Sequence, residues 1–246
     1  MNSMLNDEKL QTVYNNCKNN PDFAYWIGVV QSDGHFKRQI QRNGLRIRYL
    51  ITLRIGKKSL PMLERFREIS RELFLIKGSS YTYTTPEGFK SWNYDFGCKN
   101  LIPIFEAFKI NFREASPPGW VAQKDKLLGA YLAGVIDGDG DIRLTTRKNP
   151  QCLIRISSGE PLTNLTNIIR LKLQCGANIQ KRVKKSRIAA RTFTSTWCRT
   201  EFSVNKKNAY FIKHYLVNYL SLPHKKEKIL IKFEKWGGKR DLNPHQ

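Results

Sequence analysis

The apolar positions of this chain fall into two kinds of pattern, and both kinds recur in the same order in a second half. Two continuous apolar runs carry a mid-run glycine and end in Asp-Gly. They are Tyr25-Trp26-Ile27-Gly28-Val29-Val30-Gln31-Ser32-Asp33-Gly34 and Tyr131-Leu132-Ala133-Gly134-Val135-Ile136-Asp137-Gly138-Asp139-Gly140. Runs without alternation predict helices buried all round, and Gly28 and Gly134 at a contact would let two such helices approach backbone to backbone. Gly34 and Gly140 fit the left-handed position just past a helix end. That reading leaves Asp33 and Asp139 at two helix C-termini.

Alternation follows each run. Leu45, Ile47, Tyr49, Ile51, Leu53 and Ile55 alternate with Arg46, Arg48, Leu50, Thr52 and Arg54, the period of a strand with one basic face. Residues 35–42 read as its hairpin partner, turning near Asn43-Gly44. A helix is predicted over 60–74, with Ser59 as its cap and Pro61 in its first turn. A second hairpin, 79–84 with 90–96, turns at Pro86-Glu87-Gly88, and a helix over 99–108 closes the half. The second half repeats this order: strands 143–148 and 152–157, a helix over 162–173 behind Pro161, strands 179–185 and 194–204, and helices over 207–220 and 225–236. Pro117-Pro118-Gly119 forbids continuous helix or sheet between the halves. A linker is therefore expected at 113–123, dividing 1–112 from 124–246. The fold class is α+β, two pseudo-symmetric αββαββα halves.

Composition names a class of partner. With 43 Lys+Arg against 20 Asp+Glu, a formal net charge of +23, the chain is built to meet a polyanion, and nucleic acid is the natural one. Five cysteines without a CxxC pair argue against a disulfide framework and fit a reducing intracellular compartment. The four histidines are too scattered to complete a zinc-finger spacing. The apolar stretch 127–136 is too short to span a bilayer, so a soluble protein without a membrane partner is expected.

A carboxylate at a helix C-terminus is disfavoured by the helix dipole, and two brought together also repel. A divalent cation between Asp33 and Asp139 removes both penalties. Oxygen-only ligands suit magnesium, which keeps waters and accepts phosphate oxygens. Phosphodiester hydrolysis follows as the leading chemistry. Asp137-Gly138-Asp139-Gly140-Asp141 does not complete a calcium loop, because Ile142 and Lys148 stand where a glycine and an acid are required.

At these residues the chain resembles the LAGLIDADG homing endonucleases, with Leu132 to Gly140 close to the family's nonapeptide and Trp26 to Gly34 a looser copy carrying Gln31 and Ser32. The resemblance implies a monomer with internal pseudo-twofold symmetry, motif helices at the interface and two antiparallel sheets forming a saddle on double-stranded DNA. It implies a metal site at Asp33 and Asp139 with the adjoining Gly34 and Gly140, using Mg2+, with Mn2+ or Ca2+ able to substitute for binding. Asp137 takes the structural acid position of the motif, and Gln31 replaces it in the first half. Basic residues near the metal are expected at Lys57 and Lys225, with Lys58 and Lys226 beside them.

The strands supply the groups that read base edges in a major groove. In the first half these are Lys37, Arg38, Gln39, Gln41, Arg42, Arg46, Arg48 and Arg54. In the second they are Arg143, Arg147, Lys148, Gln151, Arg155, Lys181, Arg182, Lys184, Lys185, Arg187, Arg191 and Arg199. Because the two sets differ, a long asymmetric target is expected rather than a palindrome. An RNA maturase acting on intron RNA and a non-cleaving DNA-binding regulator are the competing readings.

Overall fold

The computed structural model describes residues 8–40, 47–145, 150–188 and 191–237, and of 185–188 and 191–193 the backbone only. The first half opens with α1 (Glu8–Cys17) and the motif helix α2 (Pro21–Ser32), which starts where the Asn20 side chain accepts the Asp22 amide N–H at 2.8 Å. Strands β1 (Gly34–Ile40) and β2 (Ile47–Ile55) follow, then α3 (Leu60–Phe74), β3 (Ser79–Thr84), β4 (Lys90–Gly97) and α4 (Ile102–Ala107). After the short α5 (Gly119–Ala122), the second half runs α6 (Asp125–Asp139), β5 (Gly140–Leu144), β6 (Cys152–Ser158), α7 (Thr163–Leu173), β7 (Ala177–Ile188), β8 (Arg191–Ser203), α8 (Ala209–Phe211) and α9 (Pro223–Gly237).

The strands form two four-stranded antiparallel sheets, ordered β1-β2-β4-β3 and β5-β6-β8-β7. Register follows the same rule in both: Gly34 opposes Leu53, and Gly140 opposes Ile156. One face of each sheet is buried. Ile51, Leu53 and Ile55 point into one core and Ile142, Ile154 and Ile156 into the other, so the alternating residues form an open face.

The two cores differ in kind. In the first half Trp26 stacks on Phe66 with ring centroids 5.4 Å apart, meets Phe74 edge-on at 4.8 Å, and donates its indole N–H to Ser70. In the second, aliphatic Leu132, Leu165 and Ile169 occupy the interior. Burial of large aromatics on one side and branched aliphatics on the other gives two halves of one topology that do not share a packing solution.

Several expectations need correction. Gly34 and Gly140 are not left-handed: among the described residues the only glycine with positive φ is Gly88, in the β3–β4 turn, and Gly140 is extended at φ −87°, ψ 150°. They are needed for closeness instead. A Cβ on Gly34 would lie 2.5 Å from the Val30 Cα, and one on Gly140 2.4 Å from the Ile136 carbonyl oxygen. Ser59 makes no side-chain cap, because the 3-10 turn at Lys57–Ser59 that leads into α3 holds it at φ −99°, ψ 9° rather than in the extended conformation of a capping residue. The expected helix 207–220 is α only in α8. It widens into a π turn at Ile212–Leu216 and tightens at Val217–Tyr219. The Tyr215 carbonyl there packs against Gly129 of α6, where a Cβ would come within 2.3 Å, so interhelical packing overrides α periodicity. The turn expected at Asn43-Gly44 and positions 146–148 of the expected strand 143–148 fall outside the described residues.

Candidate functional site

Helices α2 and α6 meet backbone to backbone. A Cβ on Gly28 would lie 2.3 Å from the Tyr131 carbonyl oxygen, and one on Gly134 2.2 Å from that of Tyr25, a reciprocal contact that only glycine permits. Above this crossing each helix sends a tyrosine to its partner. The Tyr25 hydroxyl donates to Asp137 at 2.8 Å, and the Tyr131 hydroxyl donates to Gln31 at 2.6 Å. The buried acceptors in turn hold the chain that closes each half. Asp137 accepts the Ser221 amide at 2.7 Å, while Gln31 accepts the Ser116 amide at 3.3 Å and donates to the Asn111 carbonyl at 2.5 Å. The Gln31/Asp137 difference therefore keeps the geometry and changes the charge.

That charge has a measurable consequence. Removing a donor from a buried carboxylate costs about 1.5–3 kcal/mol, against about 0.5–1.5 for a neutral acceptor. Tyr25→Phe is expected to destabilise more than Tyr131→Phe in denaturant titrations, both retaining their rings. Equal losses would mean that the carboxylate adds nothing to the joint.

The crossing delivers Asp33 and Asp139 to one place, each at the end of its helix. Asp33 caps α2, with its amide donating to the Val29 carbonyl at 3.0 Å, and Asp139 is the last residue of α6. Burial raises the pKa of both. Asp139, although partly open to solvent, is pushed to about 6 by the surrounding protein and then by the Asp33 carboxylate. Lys225, from α9, moderates both shifts. Its buried ammonium donates to the carbonyl oxygens of Ile136 at 2.6 Å and Asp137 at 2.9 Å, so it closes the negative end of α6. Lys225 thus stands in the carboxylate cluster with two of its three donors committed. Lys57 is exposed on its turn. Its neighbour Lys58 helps, after burial and the charges of Lys225 and Lys228, to depress the pKa of His224.

A raised carboxylate pKa gives a signed pH dependence. Unfolded Asp139 loses its proton near 3.8 and folded Asp139 near 6, so its ionisation destabilises the metal-free fold progressively across that window and fully above it. In chelator, Asp139→Asn is expected to gain melting temperature over the parent as pH rises from 4 to 7. A gap that stays constant or narrows would contradict the raised pKa of Asp139.

The two carboxylates at the helix ends, with solvent access for waters and phosphate oxygens, suit a hard divalent cation. Gly34 and Gly140 stand immediately beyond the carboxylates as the first residues of β1 and β5.

The open faces sort the expected DNA contacts. On the first sheet, register places Lys37 and Gln39 with Arg48 and Arg54, whereas Arg38 opposes Tyr49 and lies on the other face, exposed beyond the core. Arg54 donates to Asn93 at 2.8 Å and approaches the Tyr83 ring at 5.7 Å. On the second sheet Arg143, Arg155 and Arg199 share the open face with Arg182 and Lys184, while Lys181 opposes Cys198 on the reverse face. Arg155 is already engaged, with Glu201 at 2.7 Å and Asp141 at 3.8 Å. Arg199 has a buried Nε without a partner. Gln151 is exposed just before β6. Lys185, Arg187 and Arg191 lie on β7 and β8 with side chains outside the described residues, as are Gln41, Arg42, Arg46, Arg147 and Lys148 entirely.

No family model matches this sequence, and no curated protein does. The structure is more informative. It is similar to I-DmoI in complex with DNA and Ca, with a TM-score of 0.55 at 13% identity over 89% of this chain and 99% of that one. The LAGLIDADG meganuclease I-AabMI bound to uncleaved DNA gives 0.51 at 10% identity, covering 89% and 92%. Mesophilic variants of the homing endonuclease I-DmoI give 0.52 at 13%, covering 85% and 97%. The chain has the LAGLIDADG homing-endonuclease fold. Within that fold the expected motif helices, paired sheets and joined aspartates all find places.

The sequence reading missed α1, Arg65 and the two tyrosines. Helix α1 is polar and buries only Val13 and Cys17, too few anchors to show a period. Arg65 of α3 lies over the Tyr25 ring at 3.9 Å and donates to Asp22 at 2.8 Å and to the Tyr219 carbonyl, tying the end of the second half to the first. Tyr25 and Tyr131 open the two motif runs at matching positions, a repeat visible in the sequence whose partners were not.

Proposed function

We propose that this chain is a site-specific double-stranded DNA endonuclease that hydrolyses phosphodiesters on both strands of a long asymmetric target with a divalent metal. The observation that carries the reading is the pair Asp33 and Asp139, brought together at two crossing helix ends where burial opposes the ionisation of both and the Asp33 charge adds to it at Asp139. The two half-domains, 1–112 and 124–246 joined by 113–123, each present one open sheet face to one half-site, and the net charge of +23 supplies the attraction.

Asp33 and Asp139 would hold the ion, with Mg2+ the favoured one. When bound, it activates a water molecule for attack and neutralises charge on the leaving oxygen. The chain's own residues do the rest. Asp33 and Asp139 must both be ionised to serve as ligands, so cation binding displaces the proton that Asp139 retains up to about pH 6. Lys225 offsets part of the negative charge of the cluster and fixes the end of α6. Lys37, Arg48, Arg54, Arg143 and Arg199 position the duplex through phosphates and base edges.

Selection of cleaved duplexes from a randomised DNA library in magnesium tests this reading. A defined target cut on both strands by the parent, and by neither Asp33→Ala nor Asp139→Ala, is the expected result. Cleavage surviving both substitutions, or selection of an RNA with no cut duplex, overturns it.

A further inference from the structure

The open face of the first sheet carries one acidic side chain that its fold leaves without any partner. The side chain of Asp95, on β4, makes no hydrogen bond and no ion pair among the described residues: its Oδ1 is buried without a partner, and the side chain is half-exposed, which leaves Oδ2 toward the open face. A buried polar atom in that condition is rare and costly. Its neighbours in register, Thr52 on β2 and Ser79 on β3, both carry hydroxyls, yet neither bonds to it.

The second half shows what an ordinary solution looks like. Pairing Leu53 with Tyr94 and Ile156 with Thr200 makes Glu201 the counterpart of Asp95 and Arg155 that of Thr52. Glu201 is satisfied by Arg155 at 2.7 Å. In the first half that arginine has become a threonine and the acid has stayed. The space beside Asp95 is also open: a Cβ on Gly97, two residues along the same face, would meet nothing within 4 Å.

A lone carboxylate on a surface charged to hold a polyanion weakens binding to phosphates wherever it lies. What it offers is an acceptor that no described donor already holds. In the major groove the exocyclic amino group of cytosine is the donor that a carboxylate accepts, and neither guanine nor thymine presents one there. Adenine has an amino group too, but its adjacent N7 acceptor faces a second acceptor unfavourably. We infer that Asp95 is a specificity-determining residue that reads a cytosine amino group at one base pair of the half-site facing the first sheet. The inference rests on the endonuclease reading and adds the base that this position selects.

The test starts from the target selected in magnesium. Each base pair of the half-site facing the first sheet is then replaced in turn, and equilibrium binding is measured in calcium for the parent, Asp95→Ala and Asp95→Asn. The parent is expected to prefer cytosine at one position by roughly 5- to 100-fold. Asp95→Ala flattens that position alone, with the others unchanged and the melting temperature preserved or raised, because no bond is lost and an unsatisfied buried oxygen is removed. Asp95→Asn, which also serves should the alanine fold poorly, moves the preference toward adenine, whose N6 and N7 suit an amide. If Asp95→Ala tightens binding to every variant equally, or keeps every discrimination of the parent, the carboxylate is a charge and not a reader, and the inference falls while the endonuclease reading stands. A parent chain that selects no duplex overturns both.

Discussion

In magnesium, Asp139→Asn is expected to cut the selected duplex roughly a thousandfold more slowly than the parent, while in chelator the same substitution melts at a higher temperature. The two effects have one cause. Asn is nearly isosteric with Asp but carries no charge, so it removes a metal ligand worth several kcal/mol of transition-state stabilisation, about tenfold in rate per 1.36 kcal/mol. It also removes a carboxylate whose pKa is lifted to about 6 by burial and then by the Asp33 charge. Single-turnover cleavage and thermal melting with and without metal measure both sides. Asp33→Asn should behave in the same way, because burial raises its pKa as well. A variant that cuts within tenfold of the parent, or one that is less stable than the parent without metal at pH 7, would remove the carboxylate pair from the centre of the mechanism.

Gly134→Val is expected to lower stability by about 3 kcal/mol or more, a fall in melting temperature of roughly 6–12 °C for a chain of this size. Even the first added carbon would stand 2.2 Å from the Tyr25 carbonyl oxygen, and that oxygen belongs to the backbone of a helix that cannot rotate away. The reciprocal contact blocks the simplest relief, since sliding α2 along α6 presses Gly28 against the Tyr131 carbonyl, already 2.3 Å from where its Cβ would be. The helices must separate, and Asp33 and Asp139 separate with them. Cleavage should therefore fall even at temperatures where the variant remains folded. Gly56→Ala is the matched control. Its Cβ would meet nothing within 4 Å, and its stability should stay within about 0.5 kcal/mol of the parent. Calorimetry of the two variants decides the matter, and a Gly134→Val protein as stable as Gly56→Ala would mean that the helices are not locked at this crossing.

Much of the fold is legible in the chain because its signals are periodic and local. Of the alternation from Leu45 to Ile55, the described part, Ile47–Ile55, is β2 with Ile51, Leu53 and Ile55 buried, and the helix expected over 60–74 is α3. Both motif runs become helices ending at their aspartates. The legible part stops where a residue's role depends on a group far away in sequence. Lys225 reads as a basic residue between two helices, yet its ammonium belongs to the carbonyls of Ile136 and Asp137. Arg155 reads as a free strand arginine, and Glu201 occupies it. Arg38 sits among basic neighbours in the sequence but turns to the opposite face, because adjacent strand residues must alternate.

The sequence by itself determined the repeat, the polyanion-seeking charge, the strands and helices that carry them, and the placing of one aspartate at the end of each motif helix. These follow from apolar periodicity and composition, which act within a few residues. Only the tertiary structure decided that Gly28 and Gly134 interlock, that Tyr25 and Tyr131 cross to Asp137 and Gln31, and that Asp33 and Asp139 share one field with Lys225 closing the helix beneath them. It also decided which carboxylate on the open sheet faces is satisfied and which, at Asp95, is left to accept from outside. Those outcomes depend on distances of a few ångströms between residues some hundred positions apart, and close packing and electrostatics set such distances after the local elements have formed.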